Sequence, residues 1–205
     1  MAAAIVLCLL FAGTTAILVD RFEKLRGEQT VFEELAGEVE EVRAREDSFT
    51  NHETRLKPAE EAKQILPEYA FLYQENNDLA GWVKIEDTRI NYPVVSTPEE
   101  PEFYLHRDFY GQESYSGTPF IGQGYQAENP ILMVFGHHMR NGTMFSDLMK
   151  YRDDSFWGNH RTIQFDTLYE KREYEIFAAG YAASASEAEQ YMQLYSFTSG
   201  SEDQK

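Results

Sequence analysis

Pro130-Ile131-Leu132-Met133-Val134-Phe135-Gly136-His137-His138-Met139 is the stretch on which the fold turns. Its first six residues are almost wholly apolar and of strand length, which predicts a buried strand. A strand that ends in Gly136-His137 sets an imidazole at the mouth of a β-structure, where it can take up and pass on protons. The same residues also allow a plainer reading, a histidine pair at a strand end that does nothing but hydrogen bond. A metal site needs three or more converging ligands. The remaining histidines, His52, His106 and His160, are scattered without ligand spacing, so no metal is expected.

Outward from that strand the period stays that of strands and turns. On the N-terminal side, Gly81 to Ile85 reads as a short strand, Glu86-Asp87 as a turn, and Arg89 to Val95 as a second strand rich in Ile, Tyr and Val. Pro93 inside it predicts an edge, a bulge or the strand's end. Phe103 to Gly124 is aromatic and punctuated by glycine. On the C-terminal side, Met144 to Tyr151 and Asp153 to Trp157 read as short helices. Thr162 to Leu168 and Glu173 to Tyr181 read as strands around a turn at Tyr169 to Arg172, and Glu187 to Tyr195 as a helix with Ala188, Tyr191, Met192 and Tyr195 on one face.

The N-terminal part is helical in pattern. Ala2 to Val19 is apolar, and ~18 residues at ~1.5 Å each reach roughly 27 Å, enough to cross a hydrocarbon core. A membrane anchor is expected there. The competing reading is a cleaved signal peptide with Thr14-Thr15-Ala16 as the processing site, but the helix-forming run Asp20 to Arg26 favours the anchor. No Lys or Arg precedes the segment while Arg21, Lys24 and Arg26 follow it. The positive-inside rule would therefore keep the large domain in the cytoplasm, unless further basic residues precede the first residue given. Val31, Leu35, Val39 and Val42 form a narrow stripe that predicts a stalk helix. Asp47 to Arg55 reads as a break. A second helix is expected from near Pro58, carrying Ala62, Ile65, Leu66, Tyr69 and Leu72 inward and kinked or split at Pro67. The division is thus an anchor and juxtamembrane segment (1–26), a helical stalk and lead-in (27–75) and a mainly β domain (76–205).

A net charge of −17 argues against nucleic-acid binding, which needs a basic surface to release counterions. With one cysteine, Cys8, neither an intramolecular disulfide nor a thiolate cluster can form. Lying in the apolar segment, Cys8 reads as a small buried hydrophobe and not as a nucleophile. No cofactor is expected.

Several pieces, in order, resemble the class B sortases: Asn77 to Ile85, Thr88 to Val95, Tyr104 to Phe109, Ser114 to Phe120, Phe135 to Met139, Met144-Phe145 and Tyr174 to Phe177. The resemblance implies a sortase-like β-barrel preceded by a transmembrane helix and one or two soluble helices. It implies a single-pass membrane protein of Gram-positive bacteria whose C-terminal domain faces the wall. The implied activity is that of a cysteine transpeptidase that cleaves a C-terminal sorting signal (Asn-Pro-Gln-Thr-Asn-like) of secreted proteins. Through a cysteine thioester, it then passes them to an amine of a peptidoglycan precursor or a pilin. His137 matches the family's catalytic histidine, the general acid and base. Phe135 stands where many relatives carry Tyr and is a candidate substrate contact, while His138 is read as structural. The nucleophile, expected in a Thr-x-x-Cys motif, and the oxyanion arginine are not found before Lys205. Arg161 and Arg172 precede the expected place, and Ser196, Ser199 and Ser201 lie in a polar tail. The expectation is a barrel incomplete at its C-terminus and inactive as given. The alternatives are a non-catalytic, membrane-tethered extracellular binding domain derived from a sortase, and a metal-dependent hydrolase using His137 and His138.

Overall fold

The computed structural model describes the backbone of residues 2–50, 64–127, 132–182, 184, 186 and 187; the side chains of 2–13 and 47–50 are outside the description. Two helices lead in, α1 (Ala2–Thr50) and α2 (Pro67–Glu75). Six strands follow: β1 (Leu79–Lys84), β2 (Asn91–Val95), β3 (Phe120–Ile121), β4 (Val134–Phe135), β5 (Thr162–Thr167) and β6 (Glu173–Glu175). Between β4 and β5 come a 3-10 helix, Phe145–Arg152, and α3 (Asp154–Asn159), whose N-terminal amide, that of Ser155, donates to the Asp153 side chain.

The strands form one sheet in the order β4-β3-β2-β1-β5-β6. Every pair is antiparallel except β2 with β3, which meet in parallel at Val95 and Phe120. The sheet is curled, because β4 and β6, its two edges, line the same cavity. Val134 and Tyr174 come from the edges, Val83 and Phe165 from the middle, and Phe145 and Leu148 from the 3-10 helix, around about 410 Å³ of apolar space. The result is a mainly β half-barrel. Alternation along β1 serves both sides: Trp82 stacks on Tyr69 of α2 at 6.1 Å and Lys84 reaches Glu40 of α1, while Val83 between them faces the cavity.

Several expectations are corrected. Of the stripe predicted for a stalk helix, Leu35 and Val39 are buried in the core while Val31 and Val42 are half-buried, and Phe32 beside it is buried too, edge-on to Tyr92 at 5.3 Å. A transmembrane helix finds no support, since among the described residues no helix is long and apolar enough to cross a membrane. Of the predicted anchor, the described side chains are those of residues 14–19, after which α1 carries Asp20, Arg21, Glu23, Lys24 and Arg26. Most of the predicted anchor, including Cys8, falls on residues 2–13 and so outside the described side chains. Pro67 begins α2, as a first-turn residue whose missing N–H would have had no helical partner, and residues 64–66 before it are not helical. Pro93 sits within β2 opposite Trp82, tolerated because β3 pairs with β2 only at Val95. The strands around the histidine and after the turn at 169–172 are shorter than predicted, two and three residues. The helix start near Pro58 and the helix body beyond Glu187 lie outside the described residues.

α1 is fastened to the sheet by charge as well as by packing. The Arg43 guanidinium meets Asp166 of β5 at 2.6 Å and the Tyr69 hydroxyl, which itself donates to Asp166 at 2.7 Å. Glu68 lies 3.5 Å from Arg43 and 2.9 Å from Lys171. Burial alone would raise the Glu68 carboxyl, but Lys171 and Arg43 outweigh it and hold it below the usual range. Burial, with Asp166 beside it, pushes the Tyr69 phenol far up, so it stays a donor.

Candidate active site

β4 is followed by Gly136, where an added Cβ would lie 2.7 Å from the Phe145 ring and would force that ring to shift. That close approach lets the Phe145 amide donate to the His137 carbonyl at 2.9 Å. Beyond it, His138 bridges to Met144 by backbone. Met144 adopts a positive φ of 56° and donates its amide to the Tyr92 hydroxyl at 3.1 Å. Burial pushes that phenol up to about 12. Arg89 closes the loop from outside, donating to the carbonyls of Gly142 at 3.0 Å and Asn141 at 3.4 Å. The backbone on both sides of His137 is therefore fixed.

His137 is half-buried. Its Nε2 lies 2.9 Å from the Leu105 carbonyl oxygen. A carbonyl can only accept, so Nε2 carries a proton in both charge states, and Nδ1 is the nitrogen that gains and loses one. Leu105 belongs to a 3-10 helix, Phe103–His106, whose position is set by a turn behind it. Thr118 donates its amide to the Tyr104 carbonyl at 3.0 Å, and Ser114 donates to that of His106 at 3.0 Å. The Tyr104 hydroxyl donates to Asp78 at 2.9 Å and accepts from Asn76 at 2.9 Å.

Phe135, at 42 % exposure, is open to a ligand, yet its ring is held by stacking on Phe120 at 5.7 Å. His138, read as structural, is exposed and contributes its backbone. Arg161 pairs with Glu175 at 3.1 Å, and Arg172 is taken up by Glu170 and by the Ala127 carbonyl at 2.9 Å. Neither is brought to His137. Among the described residues no three His, Cys, Asp or Glu side chains converge as metal ligands do. His106 is the residue that sequence reading passed over: its ring lies 5.3 Å from that of His137, at 30°.

No family model matches the chain. It is 33% identical over 119 residues to sortase B of Listeria monocytogenes, a match covering 56% of this chain and 47% of that protein. To sortase B of Staphylococcus aureus it is 31% identical over 119 residues, covering 57% and 48%. The chain thus spans about half the length of the curated relatives it matches. Among solved structures, sortase B of Bacillus anthracis in complex with AAEK1 superposes with a TM-score of 0.63 at 25% identity, over 84% of this chain and 80% of that one. Sortase B of Staphylococcus aureus complexed with MTSET gives 0.63 at 23% identity, over 83% and 70%, a likeness of fold. The ordered motifs, the curled sheet and these likenesses together make the chain similar to the class B sortases.

Proposed function

We propose that this chain is the front part of a sortase-type cysteine transpeptidase in which His137 is the proton-transfer residue. The observation that carries the reading is the fixed imidazole at the end of β4, with Nε2 committed to the Leu105 carbonyl and Nδ1 left to exchange protons. In acyl transfer such a group protonates the departing amine and later deprotonates the incoming one. The thiolate that attacks the scissile carbonyl and the arginine that steadies the oxyanion are supplied by residues other than those given. The chain as given, with Cys8 as its one cysteine, does not turn over by itself. The substrate is a secreted protein with an Asn-Pro-Gln-Thr-Asn-like sorting signal, and the acceptor is an amine of a peptidoglycan precursor or a pilin. Phe135 contacts the signal peptide. The protein works at the cell envelope, tethered to the membrane through the N-terminal part of α1, which fractionation of the producing cells tests.

The test is cleavage of a fluorogenic sorting-signal peptide by the protein expressed with its downstream coding sequence. His137→Ala should lower kcat/KM by about 10²–10⁴, the usual worth of general acid–base catalysis. Undiminished cleavage by that variant would overturn the reading. A downstream sequence without cysteine would leave a binding domain.

A further inference from the structure

We infer that His106 is a positioning residue for His137, holding its ring plane and sharing a single added proton with it; this rests on the reading of His137 as the proton-transfer residue. Three observations carry it. The two rings lie 5.3 Å apart and 30° from parallel, a ring contact and not a chance proximity of side-chain ends. Both are placed by the same short 3-10 helix, since Leu105 accepts from His137 Nε2 while the next residue supplies the second ring. The backbone of His106 is itself tied down, its carbonyl accepting from the Ser114 amide at 3.0 Å. His106 is exposed where His137 is half-buried, so the pair connects the interior imidazole to solvent.

The physics of such a pair is a coupled titration. One proton on the pair is favoured, because a neutral imidazole presents its ring to the charged one. A second is disfavoured, because two unit charges would then stand at ring-contact distance. The charged groups that share a cleft with His106 are Lys24 of α1, Glu100 and Glu102 from the approach to the 3-10 helix, and Arg107 and Glu113 from its end and the following turn, while His138 and Arg140 follow His137 in the chain. Arg107 is occupied by the Gly111 carbonyl at 3.1 Å and the Phe103 ring at 4.6 Å. The carboxylates of Glu100, Glu102 and Glu113 favour keeping a proton on the pair.

The test is an NMR titration of the imidazole resonances in the 205-residue chain, kept below the concentration at which it scatters light, with His106→Asn and His106→Phe beside the parent. In the parent, His137 should titrate in two steps separated by about one pH unit. Both variants should collapse this to a single step with the lower one gone. His106→Phe, which keeps a ring, should retain the ring-current shift on the His137 carbon-bound protons, and His106→Asn should lose it. A one-step His137 curve in the parent, or ring resonances that His106→Asn leaves in place, would overturn the inference. Peptide cleavage by the longer protein separates the two readings. If His137→Ala still cleaves, the catalytic reading fails while the two-step titration stands. If His106→Asn moves neither the titration nor the acid limb of the pH–rate profile, the positioning role fails while catalysis by His137 stands.

Discussion

At Gly117 the backbone has a φ of +59°, and an added Cβ would stand 2.3 Å from the Leu105 carbonyl oxygen and 2.8 Å from that of Tyr104. Both obstacles are main chain, so neither can rotate aside. Gly117→Ala should therefore destabilise the protein by about 2 kcal/mol or more in denaturant unfolding. It should also displace the carbonyl that holds His137, read as loss of the slowly exchanging Nε2 proton. A clash at Gly136 would be milder, because the obstacle there is the end of the Phe145 ring. His137 was legible in the sequence because a local pattern, an apolar run cut off by Gly-His, announces it. His106 was not, since it reaches His137 across a long separation that leaves no period. Leu105 was invisible for a deeper reason: it acts through a carbonyl that every residue possesses.

The joints between elements depend on a few charged groups whose burial decides their worth. Removing the Arg43 head while keeping its stem, Arg43→Met, leaves Asp166, its side chain 8% exposed, without its ion-pair partner and Glu68, 3% exposed, with Lys171 alone. That should cost about 3 kcal/mol of unfolding free energy. Lys171→Met, at a cation that is 56% exposed, should cost about 1 kcal/mol or less. At the far side, His160 ties α3 to the turn after β1, with Nε2 2.9 Å from Asp87 and Nδ1 3.0 Å from the Phe156 carbonyl. The Asp87 hydrogen bond, then the Phe156 carbonyl, raises its pKa above the ordinary 6.5. A raised folded value means the contribution is complete below about 6.5 and fades as pH rises through the folded value. Melting temperatures of the parent and His160→Gln should differ most near pH 5 and converge in alkali. β1, β2 and β5 were foreseeable from period and turn residues, whereas the two-residue β3 was not, being too short to show a period. The burial of α1 was not, because an apolar stripe declares that a face is covered without naming the partner, and here the partner is a strand far along the chain.

As a whole, the molecule is a curled sheet whose two edges, β4 and β6, look onto one apolar cavity of about 410 Å³. Edges that are unpaired among the described residues, beside apolar space, invite self-association. The 205-residue chain should bind an environment-sensitive apolar dye and show concentration-dependent light scattering. A dye-free monomer with a cooperative melt would contradict this. The fastening of α1 has one more consequence, a mechanical one. Glu28 accepts the amides of Tyr115 at 2.8 Å and Ser116 at 3.1 Å, in the turn that backs the Leu105 carbonyl, while Arg43 grips β5 on the same rod. The two grips lie about 22 Å apart along the axis, and each residue turns the helix by about 100°. The turn behind the histidine and the strand bearing Asp166 are therefore geared to one shaft. A single residue inserted between Val39 and Arg43 throws them out of phase, and any torque on the N-terminal end is delivered to the turn that carries Leu105.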